Sequence, residues 1–195
     1  PNIIVGARKA KKNGSRLTIV GIEVALYVTR YQSGISSSLV LDEFYQELQF
    51  IRALDPIVMD SLIVRPNPNI GWNTRQRYID ELGVEKLSKH HSILGDFDNS
   101  KIIVCTYPET TFLEAMYSGV PTILLYKRDC WETATKFDDL IKLLEGVNIL
   151  FSDSVAASNH INKIWNNPNY WWSLPEVVNA REEFFDQCGR VDDNW

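Results

Sequence analysis

Short apolar runs and longer stretches of helical period alternate along this chain. Leu62-Ile63-Val64, Ile102-Ile103-Val104-Cys105, Thr122-Ile123-Leu124-Leu125-Tyr126 and Val147-Asn148-Ile149-Leu150-Phe151 have the length and β-branched content of buried strands. Residues 17–29 predict an earlier strand ending near Thr29, and Ile3-Ile4-Val5 is strand-like. Ser92-Ile93-Leu94 reads as a short strand before a Gly95-Asp96 turn. Helical periodicity marks 39–54, where Leu41, Phe44, Tyr45, Leu48, Phe50 and Ile51 recur at helical spacing. It recurs over 73–82, 131–145, 152–165 and 174–187, with Ser152 or Asp153 as the N-cap of the fourth helix. Gly83, Gly119 and Gly146 close three of these segments. Arg65-Pro66-Asn67-Pro68 and Asn166-Asn167-Pro168 are breaks. Regular alternation of strand and helix predicts a doubly wound, mostly parallel α/β sheet of roughly five or six strands.

The stretch from Ile102 to Tyr126 is the most informative. It is a βαβ unit with a polar turn at the carboxyl end of its first strand, the edge where open parallel sheets bind ligands. The turn, Thr106-Tyr107-Pro108-Glu109-Thr110-Thr111, opens a helix whose first N–H groups and positive dipole end suit a phosphate. Glu114 lies a turn further on, within reach of a ribose. Thr111-x-x-Glu114 also has the form of a capping box, in which both side chains serve the helix's own amino terminus. Both readings stand. Two more strand ends converge on the same edge. One carries Thr29-Arg30, Ser33-Gly34 and Ser36-Ser37-Ser38, which fit either a phosphate loop or a plain turn. The other carries Arg65 and Asn67, and there Arg65 serves either an anion or a structural ion pair.

Other residues carry weaker signals. His90-His91 and His160 lack partners at ligand spacing and read as surface residues. Asp96 and Asp98 fit turn capping better than a ligand or metal. Trp171-Trp172 fit core packing better than stacking on a base or sugar. No P-loop, GxGxxG or Ser-His-Asp order occurs.

Composition narrows the function classes. Hydrophobic residues are 45 % of 195 residues, enough for a core of one large domain or two small ones. A net charge of −5 argues against a dedicated nucleic-acid binder. No run nears the ~18 apolar residues of a membrane span, and no signal peptide is evident. Cys105, Cys130 and Cys188 lack metal spacing and fit a reducing cytoplasm. Residues 1–16 hold Arg8, Lys9, Lys11, Lys12 and Arg16 and read as a linker. An anionic or membrane-surface patch is the alternative there. Four of the six Trp fall in the last 31 positions, as in a docking helix over 173–195. The main domain is then 17–172. The chain starts at Pro1 rather than Met, as a fragment or processed chain does.

At Leu62–Pro68, Thr106–Glu114, Gly119-Val120-Pro121-Thr122 and Asn159–Trp165 with Trp171-Trp172-Ser173, the chain resembles the carboxyl-terminal domain of GT-B glycosyltransferases. It is most similar to a family of bacterial surface-carbohydrate transferases. More distantly it resembles CDP-glycerol glycerophosphotransferases and nucleotide-sugar 2-epimerases. The likeness runs from about residue 25 to 190. It implies a Rossmann-like half of a GT-B fold that holds a nucleotide-activated sugar, with no other cofactor and no metal. It also implies work in surface polysaccharide or lipopolysaccharide biosynthesis, in the cytoplasm or at the inner membrane face. Thr110 and Thr111 then hold phosphate, Glu114 the ribose, and Arg65 the leaving group's charge, with Arg30, Ser36, Asn67 and Thr106 lining the site. Asn67 stands where distant relatives have His, and Thr110-Thr111 stand for their serine-rich turn. A carbohydrate or glycolipid acceptor, with the catalytic base, comes from an amino-terminal domain outside this chain. The isolated chain is therefore expected to bind donor and turn over poorly. The alternatives are an epimerase of the same architecture and a nucleotide-binding module without catalysis.

Overall fold

A computed structural model describes residues 9–11, 14–22, 37–67, 71–128 and 133–189. Among them, β1 (Arg16–Val20), β2 (Leu62–Arg65), β3 (Ser100–Cys105), β4 (Thr122–Leu125) and β5 (Leu150–Phe151) form one sheet, ordered β2-β1-β3-β4-β5. Every pairing is parallel, with Leu17 opposite both Leu62 and Ile102, and Val104 opposite Ile123. Parallel strands are covered on both faces, so they read as unbroken apolar runs. Leu17, Leu62, Ile102, Ile103, Val104 and Ile123 are fully buried. The expected Rossmann-like α/β class is observed.

Helices fill the connections: α1 (Ser37–Arg52), α2 (Pro56–Asp60), α3 (Thr74–Leu82), α4 (Ile93–Asn99), α5 (Thr110–Ser118), α6 (Asp138–Gly146), α7 (Ser154–Ile164), α8 (Pro168–Trp172) and α9 (Pro175–Cys188). α1 seats Phe44, Leu48 and Ile51 in the core. α7 locks onto α1 through polar bonds: the Ser158 hydroxyl donates to the Phe50 carbonyl at 2.7 Å. α9 docks on this same body, with Phe184 edge-on to Phe112 of α5 at 5.4 Å. The described part of the first 15 residues is also tied down, since Ala10 N–H reaches the Ser118 carbonyl. α5 ends at Gly119, whose φ of 84° lies in the left-handed region that glycine adopts freely. Asp153 caps α7 by accepting from Ala156 N–H at 2.6 Å. Asp153→Ala is expected to cost about 1 kcal/mol and to lower the melting temperature by roughly 2–4 °C in a calorimetric scan.

Five expectations need correction. The first strand stops at Val20, with Gly21 and Ile22 beyond it no longer strand, and residues 23–29 lie outside the described residues. Its neighbour β2 ends at Arg65 before Pro66, so the pairing ends with Gly21 N–H on the Arg65 carbonyl. Ile3–Val5, Arg30 and Ser36 lie outside the described residues. Ser92–Leu94 is no strand. The Ser92 hydroxyl accepts from Leu94 N–H and starts α4, which buries Phe97. The strand expected from Val147 is only Leu150–Phe151, because Asn148 turns the chain with φ 60°. The helix expected from 131 begins at Asp138, after a 3-10 turn at Thr135–Phe137. Thr111 does not cap α5. Glu109 occupies the N-cap position, and its side chain makes no cap bond. The short helices α2 and α8 each begin at a proline and were not anticipated.

Candidate functional site

Strand order reverses between β1 and β3. From β1 the chain moves outward to β2, and from β3 it moves the other way to β4 and β5. Parallel sheets open a crevice at the carboxyl ends beside such a reversal. A cavity of about 500 Å³ lies there, lined by Gly21 and Ile22 after β1, Arg65 at the end of β2 and Asn67 after it, and Tyr107 and Thr111 after β3. Arg75 of α3, Ser88, His90 and Glu109 add to its polar lining.

α5 supplies the site's donors. The N–H groups of Phe112 and Leu113 bond the Glu109 carbonyl. Those of Thr110 and Thr111 have no partner among the described residues. Together with the helix dipole they form an anion-ready corner. Thr111 faces the polar cavity. Thr110 lines a second cavity of about 590 Å³ on the other side, walled by apolar residues that include Leu113, Tyr126, Phe137 and Leu140. Glu109 borders both. Burial holds the Tyr107 phenol protonated above its ordinary range, aided by Tyr126, Glu109 and Glu43.

Arg65 is already engaged. Its Nη1 donates to the Asp96 carboxylate at 2.6 Å and to the His90 carbonyl, and Nη2 donates to the His91 carbonyl. Asp96 is 2 % exposed and also accepts from the Ser88 hydroxyl at 2.6 Å. Arg65 therefore serves the structural ion pair while its side chain, 24 % exposed, still borders the cavity. Glu114 is half-buried, which raises its carboxyl pKa by desolvation. It is not among the described residues lining either cavity. Thr106 is buried at the end of β3, its hydroxyl beside the Glu47 carboxyl of α1 without full hydrogen-bond geometry.

Three residues escaped the sequence reading. Arg75 had a usable signal, since it opens a helix just after the Pro-rich turn at this edge. Glu47 had one too, sitting on the apolar side of α1 between Phe44 and Leu48. Asp96 as the partner of Arg65 had none, because 31 positions separate them. His160 is not a surface residue. It packs edge-on to Trp171 at 4.9 Å, and burial lowers its pKa to about 4, with Lys163 acting in the same direction. Trp171 and Trp172 are buried, and the Trp171 indole donates to the Val147 carbonyl, so they serve packing. Among the described residues no group of three acidic, His or Cys side chains has the arrangement of a metal site. No described helix is long and apolar enough to cross a membrane.

Fold and site together define an open parallel α/β protein with a crevice at the strand-order reversal and the amino terminus of α5 beside it. The chain belongs to the LIC12162 family of transferases, whose model matches residues 2–195. A comparison with curated proteins gives no match.

Proposed function

We propose that this chain is the donor-nucleotide-binding half of a GT-B-type glycosyltransferase acting in surface polysaccharide or lipopolysaccharide biosynthesis. One observation carries the reading: the amino terminus of α5, with two open amides, stands between an apolar cavity and a polar one that contains Arg75. A nucleotide diphosphate has matching parts. The base enters the apolar cavity, the phosphates lie over the Thr110 and Thr111 amides, and the sugar projects toward the reversal point. Transfer to an acceptor hydroxyl then depends on positioning and on stabilising the departing phosphate. A second domain outside this chain brings the acceptor.

The test is calorimetric titration of the chain with CMP, CDP, UDP, GDP and their sugar conjugates. One nucleotide is expected to bind selectively. Arg75→Ala, an exposed change, is expected to weaken that binding about tenfold, as loss of a charge-assisted phosphate contact does. Absence of binding by every nucleotide would overturn the reading. Turnover of a donor without acceptor would replace it with an epimerase.

A further inference from the structure

Across Ile22 from the polar cavity lies another, of about 400 Å³, between α1 and the start of α3. Ile22 lines both, so the two adjoin. Glu47 and Glu43 of α1 line it, with Phe44, Trp72, Thr74 and Arg77. Its size is that of a small-molecule site.

Glu47 sets its chemistry. The residue is only 8 % exposed, and among the described residues it forms no ion pair. Its polar company is the Thr106 hydroxyl and the like-charged Glu43. The Thr106 hydroxyl itself lacks a partner of good geometry. Buried polar groups are almost always hydrogen-bonded, so a carboxyl left this open in a cavity wall calls for a ligand that supplies the bonds. With Glu47 largely protonated near neutral pH, Glu43 and Arg77 offset each other, so the cavity favours neither a phosphate nor an amine. Glu47 itself disfavours a purely apolar guest. What remains is a neutral molecule with many hydroxyls, and Phe44 and Trp72 in the lining supply aromatic surface for its apolar side.

We infer that this cavity seats a pyranose ring, with Glu47 hydrogen-bonded to its hydroxyls and an aromatic ring against its C–H face. The link to the adjoining cavity rests on the donor-domain reading; the sugar site itself does not. Burial agrees with this role. It pushes the Glu47 carboxyl up to about 8, so near neutral pH the group both donates and accepts.

Two arms test the inference and identify the source of the ring. In the first, the affinity of each nucleotide is compared with that of its sugar conjugate. In the second, glucose, galactose, mannose and N-acetylglucosamine are tested by saturation-transfer NMR, with and without nucleotide. Sugar binding is expected in at least one arm. Glu47→Leu is expected to weaken it at least tenfold while nucleotide affinity stays unchanged, and Glu47→Gln to retain most of it. Trp72→Ala is a second probe should Glu47→Leu misfold. A gain in the first arm assigns the ring to the donor; binding in the second arm alone assigns it to an acceptor. Free-sugar binding without nucleotide binding would sink the donor reading and leave this site standing. No sugar binding in either arm, or binding that survives both Glu47→Leu and Trp72→Ala, would overturn it.

Discussion

Asp96→Ala is expected to lower the unfolding free energy by about 3 kcal/mol, as removal of one partner from a buried ion pair does. The carboxylate holds three things at once: the Arg65 guanidinium, the Ser88 hydroxyl and, through Arg65, the carbonyls of His90 and His91. Removing it leaves a positive charge with only 24 % of its side chain exposed. The two carbonyls offset part of that cost. Asp96→Asn keeps an acceptor and is expected to cost roughly half as much. Urea unfolding with an unchanged slope is the measurement. A loss under about 1 kcal/mol for Asp96→Ala would mean that the pair contributes little to the fold and that Arg65 is released for ligand work. The same variant separates the two readings of Arg65. A structural arginine makes stability fall, whereas a ligand-binding one leaves stability normal and makes nucleotide affinity rise, because the guanidinium has lost its competing carboxylate.

Glu47→Gln is expected to stabilise the protein increasingly as pH rises. Burial, reinforced by Glu43 and opposed by the Thr106 hydroxyl, raises this carboxyl from 4.5 to about 8. The unfolded chain gives up the proton at the ordinary value, while the folded chain keeps it until about pH 8. Between those values the native state binds the extra proton, so stability falls with rising pH. The wild-type contribution is full below pH 4.5 and is mostly lost by pH 8, a loss of at most about 5 kcal/mol. Glutamine does not titrate, so the variant's advantage is expected to be near zero at pH 4.5 and largest at pH 8. Urea unfolding at pH 5, 6.5 and 8 reads it directly. Parallel pH profiles for the two proteins would show that Glu47 ionises normally.

The parts of the fold legible in the sequence are those fixed by neighbours in the chain. The unit from Ile102 to Leu125 is one: its strand, turn, helix, Gly119 and second strand are contiguous, and each ends on a residue with a local reason. The Asp153 cap and the stop at Pro66 are others. Errors arose where a partner far along the chain decides. Apolar residues continue past Val20, yet β1 ends there, where its neighbour β2 ends at Arg65 ahead of Pro66. Ser92–Leu94 is too short for periodicity to separate strand from helix, and the serine cap settles it. The candidate site divides the same way. Thr110 and Thr111 at a helix start were readable from the turn. Glu47, Thr106 and Asp96 meet their partners only after the sheet assembles.

That dependence has a kinetic side. β1, the strand beside the crevice, has no close neighbour in the chain among its partners: Leu17 pairs with Leu62 on one side and Ile102 on the other, and Thr18 meets Ser100 across 82 positions. The unit from β3 to β4 closes within a short stretch and is able to form early. β1 must wait for the closure of a long loop, whose entropy cost precedes any reward from its contacts. The crevice edge is therefore expected to mature late in folding, when β1 covers the apolar flank of β3.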